Sequence, residues 1–329
     1  MKMLLDSYYR EINYLRISIT DRCNLRCRYC MPEEGVKLIE HKELLTYEEI
    51  LKVVEVFARN GISKVRLTGG EPLVRRGVVD LIRGIANTKG IKDLSLTTNG
   101  VLLKEYAADL VRAGLRRINI SLDTLRPDRF AYITRRDRFK EVWEGIEEAM
   151  RCRLRPVKIN VVVIKGFNDD EVKDFARLSF TYPLHVRFIE FMPVGEDNGW
   201  DNERVVPHSH VMEEIGELGE MIPIRPQDND GPAKRYYLRG AKGEIGFISP
   251  ISSHFCALCN RLRLTPDGKI RTCLFSDEEI DIKGALRDSM DDVKLVEVLH
   301  QALRAKPEGH RIGDLRFKKC QRGMYAIGG

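Results

Sequence analysis

The chain has 329 residues, 43% of them hydrophobic and 32% charged, with a formal net charge of +6. This composition excludes a disordered or low-complexity chain. Its apolar runs, such as 161–164, are far too short to span a bilayer. Residues 1–10 lack the apolar core of a secretory leader, so a cytoplasmic protein with no membrane partner is expected. The charge excess is too mild, and aromatic residues at 8% too few, to predict a nucleic-acid partner.

In chain order, the alternation of Leu15, Ile17 and Ile19 predicts a strand over 14–20. It runs into Cys23, Cys27 and Cys30, a C-x3-C-x2-C loop. A cubane [4Fe–4S] cluster takes one cysteine per iron, so three thiolates leave one iron open to a small molecule. The spacing is not that of paired zinc elements. Thr46 with Glu49 forms a capping box that opens a helix, and Asn60-Gly61 ends it. Strands follow at 64–68, 93–97, 117–121, 157–164 and 185–190, with helices at 78–86, 104–113, 140–151 and 169–178 between them.

Six strands alternating with helices predict an α/β fold: a partial TIM-type barrel, open and six-stranded, all parallel. A doubly wound open sheet is the alternative. From Gly195 the composition shifts toward Gly, Pro, Asn and Asp. This divides the chain into 1–195, the partial barrel, and 196–329, an α+β region covering its mouth. A short hairpin is expected at 235–238 and 244–249. Residues 277–319 carry no recognisable motif.

Active sites of parallel barrels gather at the C-terminal strand ends. There this chain places Thr68-Gly69-Gly70-Glu71-Pro72, Thr97-Thr98-Asn99-Gly100, Ser121-Leu122-Asp123 and Glu190-Phe191-Met192-Pro193, while Lys158 and Asn160 lie along the fifth strand. A second group, Cys256, Cys259 and Cys273, again offers three thiolates; a zinc site with His254 as fourth ligand is the alternative. Arg261 and Arg263 alternate on one side of an extended segment and suit an anion or a purine. Cys152 and Cys320 stand alone and read as packed or incidental thiols.

The cysteine loop, with Tyr29 before its third cysteine, resembles the radical S-adenosylmethionine (SAM) enzymes. That resemblance implies that SAM chelates the open iron and that a reduced cluster cleaves it to a 5′-deoxyadenosyl radical. It further implies that the motif ending in Gly70 binds the SAM amino group, that Ser121 binds its ribose or carboxylate, and that Tyr29 and Met192 flank the adenine.

Six pieces occur in order: T-D-R-C-N-L-R-C-R-Y-C-M-P, R-L-T-G-G-E-P-L, L-T-T-N-G, R-I-N-I-S-L-D, R-F-I-E-F-M-P-V-G and F-C-A-L-C-N-R-L-R-L, followed by a terminal Gly-Gly. Together they resemble the GTP-cyclising branch of that superfamily, which opens molybdenum cofactor biosynthesis. This implies two [4Fe–4S] clusters, each on three cysteines, with guanine on the second. It implies GTP contacts from Arg16, Arg66, Thr97, Lys158, Arg261, the Leu262 backbone and Arg263, and a part in catalysis for Arg261, Arg263, Arg16, Gly328 and Gly329. The implied partners are a flavodoxin- or ferredoxin-like electron donor, cyclic pyranopterin monophosphate synthase as the next enzyme, and a second copy in a homodimer. A two-cluster radical SAM enzyme acting on a peptide is the alternative function.

Overall fold

A computed structural model describes residues 3–195, 199–226, 231–287, 291–314 and 317–328. Its first part repeats one unit: β1 (Tyr14–Ser18), α1 (Tyr47–Asn60), β2 (Lys64–Thr68), α2 (Val78–Ala86), β3 (Asp93–Thr98), α3 (Leu103–Arg112) and β4 (Arg117–Ser121). Then come α4 (Pro127–Thr134), α5 (Phe139–Arg151), β5 (Val157–Val163), α6 (Val172–Thr181) and β6 (Leu184–Glu190). The capping box is present: Thr46 Oγ1 accepts from the Glu49 N–H at 3.2 Å, and the Thr46 N–H donates to Glu49 Oε2 at 2.7 Å. Gly61, at φ +127°, turns the chain out of α1 in a conformation that side chains rarely adopt. Helix α4 was not foreseen; Pro127 opens its first turn, a place where proline's missing N–H costs nothing.

The second part holds α7 (His208–Gly216), β7 (Met221–Pro223), β8 (Lys234–Leu238), β9 (Glu244–Ile248), β10 (Arg261–Leu264), β11 (Lys269–Arg271) and β12 (Glu279–Asp281). It continues with α8 (Lys283–Arg287), α9 (Asp292–Ala305) and α10 (Met324–Ile327). The expected hairpin is β8–β9, antiparallel.

The six expected strands lie side by side and parallel, but the sheet is wider than six. Among the described residues it has twelve strands, in the order β12-β11-β10-β1-β2-β3-β4-β5-β6-β9-β8-β7. Strand β10 pairs parallel with β1, and β9 parallel with β6. The C-terminal region therefore lengthens both edges of the sheet instead of only covering its mouth. The physical reason is that β1 and β6 would otherwise expose unpaired backbone groups on both margins. The outermost strands do not pair with each other, so the curled sheet stays an open half-barrel. On the outside α9 packs against α1, where Asp292 receives both Lys52 and Arg59.

Within each parallel strand the side chains alternate. Leu15, Ile17, Val65, Leu67, Leu96, Ile118, Ile120, Ile159 and Val186 are fully buried against the helices. The alternate positions, from Tyr14, Arg16 and Arg66 to Asn160 and Arg187, face a cavity on the concave side.

Candidate active site

The cavity is bounded by both cysteine groups. Cys23, Cys27 and Cys30 line it, and so do Cys256, Cys259 and Cys273. Arg16, Arg66, Arg187, Arg261 and Arg263 line the same cavity.

The first triad is held by the motifs at the ends of β2 and β3. Gly69 and Gly70 are required by close packing more than by a ligand. A Cβ on Gly70 would meet the Arg22 carbonyl oxygen at 2.5 Å, and one on Gly69 the Thr20 carbonyl oxygen at 2.7 Å. The Gly70 N–H donates to that Thr20 oxygen at 2.7 Å, locking strand end to cysteine loop. Glu71 is fully buried and accepts from Leu73 N, Thr98 Oγ1 and Asn99 N at 2.7–3.0 Å. Burial pushes its carboxyl up to about 7 against those donors. Asn99, so placed, donates to Asn24 Oδ1 at 2.7 Å and reaches Cys23 Sγ at 3.8 Å. Tyr29 donates to Asp123 Oδ2 at 2.5 Å, and its ring meets Phe191 edge-on at 6.3 Å. Burial raises Asp123 to about 6. Burial also raises Cys23 to about 11, and it raises Cys27 and Cys30 with help from the neighbouring thiols and Asp123.

The middle of the cavity is cationic. Arg263, Arg16 and Arg66 stand in register on β10, β1 and β2. Arg16 Nε donates to the Tyr14 hydroxyl at 3.2 Å, and Lys64, Arg16 and Arg66 lie 5.0–5.7 Å from the Tyr14 ring. Burial would raise that phenol, but Arg16, Arg66 and Lys64 together draw it down to about 7. Arg66 Nε donates to Ser95 Oγ at 3.2 Å. Burial lowers Arg66 to about 9 and Arg187 to about 10, with the neighbouring cations adding to both shifts. Among the described residues neither Arg187 nor Lys158 has an ion-pair or hydrogen-bond partner. Thr97 Oγ1 and Asn160 Oδ1 are buried without a protein partner and line the same space. Buried cations and orphaned polar atoms are costly unless an anion with hydrogen-bonding groups meets them.

The second triad sits among cations. Burial works to raise the Cys259 thiol, but Arg261 and Lys306 bring it down to about 6. Arg261 lies over the Phe255 ring at 5.0 Å. His254 lines the cavity and meets His310 edge-on at 5.4 Å. Among the described residues no three His, Cys, Asp or Glu side chains converge as a single-ion site requires. A cubane instead spreads its donors over separate irons, which suits the two thiol triads.

The C-terminal tail enters this space. Arg263 Nη1 donates to the Gly328 carbonyl at 2.6 Å, and Gly328 has φ +82°. A Cβ there would meet Thr68 Cγ2 at 2.3 Å, so only glycine fits between β1 and β2 at this point. Gly329 lies outside the described residues. Arg322 anchors the tail through paired bonds to Asp267 at 2.7 and 2.9 Å.

The structure thus gathers Tyr29, Gly70, Ser121, Met192, Arg16, Arg66, Thr97, Arg261 and Arg263 around one cavity, with Leu262 on the β10 backbone beside it and Gly328 bonded to Arg263. Lys158 is placed differently. It pairs in register with Asn119 and His185, below the level of Asn160 and Arg187, and is not in the cavity wall. Burial and the surrounding Arg187, Arg117, Arg66 and Lys64 lower its amine to about 5. Arg187 and Tyr14 were missed by sequence reasoning. The signal available was parity: both share the inward face with residues that had been noticed. Cys152 contacts Glu148 at 3.2 Å, and Cys320 is buried with Val194 and Ile327, where it packs the tail.

The sequence model described as Radical SAM superfamily matches residues 17–179, and that described as Molybdenum Cofactor Synthesis C matches 184–312. A GTP 3′,8-cyclase of Alkaliphilus metalliredigens is 51% identical over 324 residues, 98% of this chain and 99% of that one. One of Pelotomaculum thermopropionicum is 50% identical over 325 residues, with the same shares covered. Among solved structures, Streptococcus suis SuiB bound to its precursor peptide SuiA aligns with a TM-score of 0.65 at 15% identity, over 95% of this chain and 74% of that one. That likeness is one of fold.

Proposed function

We propose, for a chain that belongs to the GTP 3′,8-cyclase family of radical SAM enzymes, that the cavity between its two cysteine triads is where it cyclises GTP in the first step of molybdenum cofactor biosynthesis. One observation carries this reading: two three-cysteine groups and five arginines line a single cavity. Cys23, Cys27 and Cys30 would hold the cluster that takes SAM, and Cys256, Cys259 and Cys273 a second cluster. When bound, these groups supply the one-electron chemistry that abstraction of a ribose hydrogen requires.

The chain's own residues do the rest. Gly70, Ser121, Tyr29 and Met192 seat SAM at the first triad. Arg16, Arg66 and Arg187 clamp the triphosphate, since planar guanidiniums match phosphate oxygens two at a time. Arg261, Arg263 and the Leu262 backbone hold the purine end at the second triad, and Thr97 with Asn160 offers hydrogen bonds between. Lys158, neutral above about pH 5 without nucleotide, lies below the arginine clamp, where a bound triphosphate would favour its protonated form. Gly328 and Gly329 bring backbone groups to the reacting region, with Arg263 fixing the approach. Residues 1–195 carry the radical machinery and 196–329 the substrate anchor.

The protein would act in the cytoplasm as a homodimer, receive electrons from a flavodoxin- or ferredoxin-like donor and pass its product to cyclic pyranopterin monophosphate synthase. No helix among the described residues is long and apolar enough to cross a membrane. Identity near 50% to cyclases over almost the whole chain sets the peptide-modifying alternative aside.

The test is anaerobic reconstitution, iron analysis, and incubation of the reduced protein with SAM and GTP. About eight irons per chain, two cubanes of four, and a cyclised nucleotide by mass spectrometry are expected. Half that iron, or 5′-deoxyadenosine without cyclised nucleotide, would overturn the reading.

A further inference from the structure

Residues 306–310 carried no recognisable motif, yet they close around the second triad. Lys306 is 3% exposed and lies outside the cavity wall. Its ammonium has three donors, and each has a partner: Cys259 Sγ at 3.5 Å, the Arg261 carbonyl at 2.9 Å and the Thr272 carbonyl at 2.8 Å. Thr272 precedes Cys273, so one side chain ties together the two loops that supply the cysteines.

The neighbouring backbone is fastened as firmly. Arg10 donates to the carbonyls of Cys256, Glu308 and Pro307 at 2.6–2.8 Å and is itself held by Asp6 at 2.6 Å. A Cβ on Gly309 would stand 3.7 Å from Cys256 Sγ, so the chain runs directly against that sulfur.

Arg10 has a carboxylate partner. Among the described residues Lys306 has none. A buried ammonium without a counter-charge is costly. The group able to balance it here is the sulfur of Cys259 and whatever electron-rich centre that sulfur holds. Hydrogen bonds and charge at a ligating sulfur are the protein's means of setting a cluster's potential, because a nearby cation favours the more negative, reduced state.

We propose that Lys306 is a positioning residue for the second triad: it fixes Cys259 from behind the cavity and holds the reduction potential of the cluster there at a more positive value. The inference rests on the reading that this triad carries a cluster, and it adds a regulating contact to it.

The test uses the full chain, reconstituted anaerobically, as wild type, Lys306→Met and Lys306→Arg. Redox titration is followed by electron paramagnetic resonance, with SAM addition marking the signal of the first cluster. Lys306→Met should shift the second cluster's midpoint to more negative potential and leave the first unmoved, while Lys306→Arg stays near wild type. An unmoved second midpoint in Lys306→Met, or equal shifts of both clusters, would overturn the proposal. Should Lys306→Met lose about half its iron, one cubane of two, retention by Lys306→Arg supports a charge that positions Cys259. Loss in both would overturn it in favour of a requirement for lysine's size. Wild-type protein with only half the expected iron would instead defeat the two-cluster reading itself.

Discussion

Two three-cysteine groups face one cavity in surroundings of opposite sign. The first lies against buried carboxylates: burial, neighbouring thiols and Asp123 raise Cys27 and Cys30, and Glu71 adds to the rise of Cys23. The second lies among Arg261, Lys306 and Arg10, and Cys259 is drawn down to about 6 despite its burial. The contrast is sharpest between the first triad and Cys259, because burial raises Cys256 of the second group as well. Negative surroundings make a reduced cluster a stronger electron donor, as SAM cleavage needs. Positive surroundings suit a centre that anchors an anionic nucleotide. On the proposed reading, three thiolates would leave an iron open at each triad, and the charges around them would set what that iron is for.

The sharpest way to break this comparison is to remove one triad at a time. Cys27→Ala should lose about half the iron, one of two cubanes, and bring SAM cleavage to the uncatalysed level. Cys259→Ala should lose the same share, keep forming 5′-deoxyadenosine, and make no cyclised nucleotide. Identical product profiles from the two variants would erase the division of labour.

Next in size are the cations of the second side. Arg261→Ala with Arg263→Ala should weaken GTP binding by about 100-fold or more, since each lost hydrogen bond to a charged group contributes ~1.5–3 kcal/mol. Formation of 5′-deoxyadenosine without substrate should persist. Equilibrium dialysis with labelled GTP reads the loss, and full affinity would move the substrate elsewhere. Arg187→Ala should cost about tenfold in GTP affinity by the same reasoning, with SAM affinity as an internal control that stays unchanged.

Lys158 tests the cationic face through pH. In the unfolded chain a lysine holds its proton up to about 10.4; folded, Lys158 releases it near 5. Between those values the unfolded state binds the extra proton, so stability without nucleotide rises with pH across that window and falls as pH drops toward 5. Lys158→Met should flatten this slope in chemical denaturation measured across the range. An unchanged slope would show that the amine is not the source.

The smallest effect belongs to the acidic side. Asp123→Asn weakens the acceptor for Tyr29, and both residues line the cavity where SAM is proposed to sit. The loss should be about 1 kcal/mol, or about fivefold in SAM affinity, with GTP affinity intact. Equal losses for both ligands would mean that Asp123 supports the whole cavity.

Much of the fold was legible because it rests on local signals. Period-two strands, the Thr46–Glu49 capping box and Gly61 mark their elements through neighbours only a few residues apart. The strand-end motifs were legible because parallel strands must deliver their loops to one side. The widening of the sheet was not legible. Strands β9 and β10 were expected as a hairpin strand and an extended segment, but their pairing with β6 and β1 joins residues far apart in the chain, which no local pattern encodes. Arg187 was overlooked for a related reason: an arginine on a strand reads as solvated until the curvature of the sheet turns that face inward.

By itself the sequence determined which atoms are available: six cysteines in two triads, a set of arginines on alternating strand positions, and glycines where the backbone must pass closely. Spacing along a chain dictates such things because they depend on covalent geometry and short-range sterics. Only the tertiary structure decided that the two triads share a single cavity, that Lys158 lies beneath it instead of in its wall, and that Lys306 reaches Cys259 from outside. These depend on which strands pair and which charges are forced together out of water, and those are contacts between residues far apart in the chain.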